Sequence, residues 1–213
     1  MSPFSPLWRR RDPRLEILGL ETLYSDGFVA IDLETTGRDP ERDAIVEVAA
    51  VSFVEGCAAL RYVTHVNPER PIPPETTRVH GITDAMVARA PRLGEVLVRL
   101  EDVCAQRVLV GHGLAFDLAV LARARRARRM PRLANPALDT MRLAAALHPD
   151  WERLTFDDVM SRMGIGVLGR HTAEGDAIAA GELLLALFPE IRARGIQTLA
   201  ELLWFQDVGL HSG

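Results

Sequence analysis

Asp32 and Glu34 stand two residues apart at the end of the apolar run Phe28 to Leu33. In a strand that spacing puts both carboxylates on one face. Like charges side by side there are costly unless a cation compensates them. Taken alone, the pair also reads as two solvated strand-end acids. Thr35, Thr36 and Gly37 follow as a tight polar turn whose N–H groups could meet a phosphate or a sugar. A third acid, Asp117, falls in the first turn of a helix that follows the apolar stretch Val108 to Gly111. The ends of adjacent strands are where α/β proteins gather ligand groups. By itself Asp117 would be a helix N-terminal charge, worth about 0.3–1 kcal/mol. The fourth acid, Asp176, lies early in a helix beginning near Thr172, and His171 stands just before it. Five helical residues turn through roughly 500°, so His171 must sit in the preceding loop to face the same site. Imidazole titrates ordinarily near neutrality and suits a general base.

The elements that must position these groups alternate in a simple way. Phe28 to Leu33, Ala44 to Val54 and Ala59 to Val66 read as three strands, the last two joined by Glu55-Gly56, which suggests an antiparallel meander. Pro68 to Pro74 reads as a loop, since prolines cannot donate to a ladder. Helical spacing follows: Thr83-Asp84 as an N-cap, Leu93 to Val103, and Leu114 to Arg128 after a short strand at Val108 to Gly111. Leu138-Asp139-Thr140 closes the sheet as a brief fifth strand. Helices over 141–147, 155–163 and 173–187 come next, and Ile196 to Phe205 is a last short one. Strand and helix alternation of this kind implies an α/β fold with a mixed sheet. The expected organisation is an N-terminal arm over 1–26, a catalytic domain over 27–190 and a helical tail over 191–213.

Composition narrows the options. A chain of 213 residues buries one good core and not two. No apolar stretch approaches the roughly 20 residues of a membrane span, and Arg9, Arg10 and Arg11 follow the apolar start rather than precede it, unlike a secretory signal. Cys57 and Cys104 read as two buried thiols of a cytoplasmic protein. The net charge of −4 is not that of a protein held to nucleic acid by bulk electrostatics. Every cation is Arg, so no P-loop or Schiff-base lysine is available. Arg123, Arg125, Arg126, Arg128 and Arg129 crowd the end of the Asp117 helix, where they would either guide phosphates or form a solvated face.

Each acid has an ordinary explanation singly, but the joint pattern does not. Asp32-Leu33-Glu34-Thr35-Thr36-Gly37, then Val110-Gly111-His112-Gly113-Leu114-Ala115-Phe116-Asp117, then His171-Thr172-Ala173-Glu174-Gly175-Asp176 closely resembles the three motifs of the DEDDh 3′–5′ exonucleases. That family includes the proofreading subunit of bacterial DNA polymerase III, ribonuclease T and oligoribonuclease. The resemblance implies a ribonuclease-H-like fold, a five-stranded mixed sheet flanked by helices. It implies hydrolysis of phosphodiesters at 3′ ends with two divalent ions, and hard oxygen ligands suit Mg²⁺ or Mn²⁺. Asp32, Glu34, Asp117 and Asp176 would be the metal ligands and His171 the base. Thr35, Glu75 and His80 would touch the terminal nucleotide, the last two from the loop between Asn67 and Thr83. Asp139-Thr140 matches a structural Asp-Thr of the family. Relatives carry Asn where Gly113 stands, which puts substrate grip in question and leaves the chemistry intact. The expected substrate is single-stranded DNA, with RNA trimming and a catalytically silent nucleic-acid-binding module as alternatives. Glu201 to Phe205 faintly resembles a sliding-clamp-binding peptide, and a polymerase contact is the related option. The competing reading is an amphipathic helix packed on the domain through Leu199, Leu202, Leu203 and Phe205.

Overall fold

The computed structural model describes residues 18–152 and 154–208; the part of the N-terminal arm before Leu18 lies outside them. Five strands form one sheet: β1 (Phe28–Thr35), β2 (Ile45–Val54), β3 (Cys57–His65), β4 (Leu109–Gly111) and β5 (Ala137–Asp139), in the order β3-β2-β1-β4-β5. β1, β2 and β3 are antiparallel neighbours, whereas β4 lies parallel to β1 and β5 parallel to β4. The sheet is therefore mixed, and the chain end of β1 lies beside that of β4. The architecture is ribonuclease-H-like.

Helices cover both faces. α1 (Leu20–Ser25) precedes the sheet. α2 (Pro74–His80), α3 (Asp84–Val87) and α4 (Leu93–Cys104) follow β3. α5 (Ala115–Ala127) follows β4, and α6 (Thr140–Leu147), α7 (Phe156–Arg162), α8 (Ala173–Ala193) and α9 (Leu199–Val208) follow β5. Alternation along β1 divides the core. Phe28 and Ala30 face Phe53, Leu183, Leu187 and Leu203 on one side. Val29, Ile31 and Leu33 face Leu97, Leu114 and Leu121 on the other. Asp32 and Glu34 continue the Phe28–Ala30 face by the same two-residue period, so they look towards α8, the helix that carries Asp176.

Three expectations need correction. The segment from Pro74 to His80 is helix α2 rather than loop, because Pro74 occupies the first helical position, where its missing N–H costs nothing. α8 runs through Pro189 to Ala193 instead of ending at 187. Leu187 and Ile191, both fully buried, keep that last turn packed on the core despite the lost backbone bond. Cys57 is exposed, since it opens an edge strand; Cys104 is buried, and both thiols are free.

The C-terminal helix belongs to the same core. Leu199, Leu202 and Leu203 are buried in the cluster that also holds Phe28 and Leu183. Gln206 does for β5 what a sixth strand would do. Its Oε1 accepts from Asp139 N at 3.0 Å and its Nε2 donates to Ala137 O at 2.9 Å. An open parallel edge is thereby capped by one carboxamide. Leu202→Ala should cost about 2–5 kcal/mol by chemical denaturation, the range for a buried leucine. A loss below about 0.5 kcal/mol, as at an exposed position, would show that the helix is not part of the folding unit.

Candidate active site

The site forms where β1 ends. Asp32 and Glu34 lie on one face of β1, opposite Ala49 and Glu47 of β2, and the register shifts just beyond Glu34. α8 crosses that face, and the first turn of the helix delivers Asp176. Carboxylate oxygens of Asp32, Glu34 and Asp176 come within 4.8 Å of one another. Asp117 arrives from the opposite face on α5, whose Leu114 and Leu121 pack under Ile31 and Leu33. Its Oδ1 accepts from Leu33 N at 3.1 Å, so Asp117 adjoins the three-oxygen group without being part of it. Two helices on opposite faces thus converge on a single strand end.

The N-terminus of α8 is held by contacts that its sequence only partly announces. Thr172 caps it, accepting from Gly175 N at 3.1 Å. Glu47, buried on β2, accepts from Ala173 N at 2.9 Å and faces His65 Nε2 at 3.3 Å. A Cβ on Gly175 would lie 2.2 Å from Gly169 O, so only glycine lets the loop before α8 fold back over the helix. That fold-back puts Arg170 and His171 at the mouth of the cluster. His171 is exposed and has φ of 63°, a left-handed conformation uncommon outside glycine. Its Nδ1 lies 3.2 Å from an Arg170 Nη1 that also pairs with Asp176 Oδ2.

Burial and mutual repulsion dominate the electrostatics. Burial, then the charges of Asp117, Asp176 and Glu34, push Asp32 well above the usual carboxylate range. Burial, with Asp176 and Glu47 nearby, raises Glu34 to about 8. Burial raises Asp117 to about 7, although its own N–H and that of Leu33 oppose the shift. Asp176 is raised by burial and restrained chiefly by Arg170. Its Oδ1 is buried without a hydrogen-bond partner. Three clustered carboxylates, one of them with a buried oxygen left unpaired, form a donor set that fits a hard divalent cation.

The other expected contacts are more dispersed. Thr35 is buried and spends its hydroxyl proton on Gly37 O. Thr36 N–H is likewise taken, by Ala44 O at 2.8 Å. Glu75 is exposed in the first turn of α2. His80, buried at the other end of that helix, accepts from Ile82 N through Nδ1 at 3.0 Å. The neutral ring therefore carries its proton on Nε2, which is directed at the backbone of Thr35 without a well-formed hydrogen bond. Burial lowers the pKa of His80 and favours that neutral form. Asp139 is structural: it caps α6 through Met141 N and accepts from Gly113 N at 2.9 Å. Gly113 has φ of 70° and open space where a side chain would go, so an Asn would have room there but would hold a left-handed backbone, which Asn tolerates better than most residues. The arginines of α5 are largely committed elsewhere. Arg125 is buried against Glu101 at 2.8 Å, Arg123 binds Glu41 O and Asp43 O, and Arg126 pairs with Glu41. Sequence reasoning passed over Glu47 and Arg170, whose types carry no local signal; only the Arg-His pairing before the last motif could have marked the second.

The exonuclease family profile of the RNase T type matches residues 29–184. A DNA polymerase III subunit epsilon-like protein of Rhodobacter capsulatus is 42% identical over 181 residues, covering 83% of this chain and 26% of that protein. A DNA polymerase III of PolC type from Latilactobacillus sakei is 33% identical, covering 80% of this chain and 12% of its own length. The chain thus spans about a quarter or less of these relatives. Among solved structures, Exonuclease X in complex with 5′ overhanging duplex DNA superposes with a TM-score of 0.67 at 26% identity, over 84% of this chain and 99% of its own. Escherichia coli Exonuclease I in complex with a dT13 oligonucleotide gives 0.70 at 17% identity, over 79% and 42%, a likeness of fold. Fold and acidic cluster together define a DEDD-type 3′–5′ exonuclease domain. The chain belongs to the RNase T exonuclease family.

The raised carboxylates set the pH dependence of the metal-free protein. Below the ordinary value of 4.5, Glu34 is protonated folded or unfolded and carries no penalty; stability is then lost as pH rises towards its folded value of about 8. In chelator, the melting temperature should fall between about pH 5 and about pH 9, and Glu34→Gln should melt several degrees higher at the alkaline end, with a shallower fall. A variant with the parent's slope would show that Glu34 ionises freely in the fold.

Proposed function

We propose that the domain removes nucleotides from the 3′ ends of single-stranded DNA and releases nucleoside 5′-monophosphates. The observation that carries the reading is the cluster of Asp32, Glu34 and Asp176 oxygens within 4.8 Å, in which Asp176 also keeps a buried oxygen with no hydrogen-bond partner. Two divalent ions, Mg²⁺ or Mn²⁺, held by these three and Asp117 would supply Lewis-acid charge at the scissile phosphate. Asp32 lies between the other acids electrostatically, since Asp117, Asp176 and Glu34 all act on it. It would help hold the ions together with Glu34, Asp117 and Asp176. His171, exposed in its loop at the mouth of the cluster, takes the proton of the attacking water. His80 and the exposed carboxylate of Glu75 meet the terminal nucleotide, beside the turn at Thr35.

DNA is favoured because the Exonuclease X and Exonuclease I structures hold DNA. All five catalytic positions are retained, which opposes a silent binding module. A clamp-binding role for Glu201 to Phe205 is disfavoured, because Leu202 and Leu203 would have to leave the core. No described helix is long and apolar enough to cross a membrane, in keeping with work on cytoplasmic nucleic acid.

A digestion panel tests the reading, using 5′-labelled single-stranded DNA, duplex DNA and RNA with Mg²⁺ or Mn²⁺. Single-stranded DNA should shorten from its 3′ end fastest; a faster RNA arm would reassign the substrate, and no shortening in any arm would end the proposal. His171→Ala should lose about 10²–10⁴-fold in rate, the scale of general-base removal, while its Mn²⁺ binding stays at the parent's level. Wild-type turnover without the imidazole would remove His171 from the mechanism.

A further inference from the structure

The scheme above leaves one residue of the site unused. Arg170 reaches into the acidic cluster from a support that does not belong to it. Its Nε donates to Asp157 Oδ1 at 2.7 Å, and its guanidinium carbon sits 4.2 Å above the Phe156 ring. Both supports lie in the first turn of α7. On the other side Nη1 meets Asp176 Oδ2 and lies 3.2 Å from His171 Nδ1. The side chain is 29% exposed. The charge also reaches beyond its direct partner, since Arg170 opposes the raised values of both Asp32 and Glu34.

A guanidinium held by one face and by Nε presents its two Nη groups as a fixed fork, the geometry that pairs with phosphate oxygens. We propose that Arg170 is a phosphate ligand for the nucleic-acid strand, held on Asp176 until a divalent ion engages that carboxylate. The inference rests on the nuclease reading of the cluster. When Asp176 turns to the cation, Asp157 and Phe156 still hold the guanidinium in place, because neither is part of the acidic group. The freed Nη donors then face the space beside His171, where the proton of the attacking water is taken. A phosphate arriving there restores the anion that Arg170 has lost. The arginines at the end of α5 were the sequence's candidates for this role, yet Arg123, Arg125 and Arg126 bind protein acceptors. Arg170 is the cation aimed at the site itself.

The alternative role is structural, a tie between the loop before α8 and α7. The two roles differ in how they depend on metal. In a His171→Ala background, which slows turnover and keeps the four acids, the affinity for a short 5′-labelled oligothymidylate is measured by fluorescence anisotropy, with Mn²⁺ and with chelator. Mn²⁺ binding is measured separately by calorimetry without nucleic acid. Arg170→Gln should weaken oligonucleotide binding about tenfold in Mn²⁺, as loss of a charge-assisted pair implies, and by less than about twofold in chelator, where Nη1 stays paired with Asp176. Mn²⁺ binding should hold or tighten. Arg170→Lys, which keeps the ion pair and so protects the fold, should lose part of the Mn²⁺-dependent affinity, since a point charge cannot reproduce the fork.

Equal weakening with and without Mn²⁺, unchanged oligonucleotide affinity, or weakened Mn²⁺ binding would each overturn the assignment and leave a structural tie. If the background protein binds both Mn²⁺ and oligonucleotide and Arg170→Gln matches it, only the Arg170 role falls. If the background protein binds neither, the nuclease reading falls and takes this inference with it.

Discussion

Ionising Asp32 with Glu34, Asp117 and Asp176 beside it, where burial has removed most of the surrounding water, opposes folding at neutral pH. Most of the neighbouring structure can be understood as holding these groups together against that repulsion. Backbone N–H groups do part of it: Leu33 N–H binds Asp117, and Gly113 and Met141 N–H groups bind Asp139 just behind. Arg170 supplies a positive charge from one side. None of these neutralises the cluster, and Asp176 keeps an oxygen with no partner. A divalent cation bound at such a site would stabilise the fold, which would link metal affinity to fold stability.

The scaffold that tolerates this repulsion is the buried centre of the sheet. β1 is central, flanked by β2 and β4, and every apolar residue from Phe28 to Leu33 is buried. Because side chains alternate along it, one face takes the first two acids towards α8 and the other meets α5. The second pair of acids is delivered by helix first turns, where the helix dipole favours negative charge. Glu47 then fixes the start of α8 from β2 by accepting Ala173 N–H. The four acids thus rest on packed elements, while His171 and Arg170 come from a loop whose path depends on the missing Cβ of Gly175. That division suits a site in which ligands must stay fixed while the groups that meet the substrate adjust.

The C-terminal helix is joined to this arrangement through backbone hydrogen bonds. Gln206 holds β5 at Asp139, and Asp139 in turn holds Gly113, four residues before Asp117. The helix therefore extends the support of the α5 side of the site, and its leucines complete the core shared with β1. In relatives several times longer, the matching region is one part of a larger polypeptide. Here Gln206 caps the β5 edge from within the described residues.

Much of the site was legible because it is written in local spacing. The two-residue step from Asp32 to Glu34 gives one face of a strand whatever the tertiary context, and five residues from His171 to Asp176 cannot share a helical face. The strands were readable for the same reason: apolar alternation and turn residues are local properties. α2 was hidden by its prolines, since the same residue that breaks a helix interior begins one without cost. Contacts across the sheet were not legible at all. Glu47 meets Ala173 N from 126 positions away, Gln206 meets Asp139 N from 67, and five arginines between 123 and 129 gave no sign that those at 123, 125 and 126 bind protein acceptors while Arg170 faces the cluster. A charged or amide side chain can satisfy itself on many partners, and its type says nothing about which one the fold will bring near. Spacing along the chain decided which groups could act, and packing of the two helices on the end of β1 decided which of them meet.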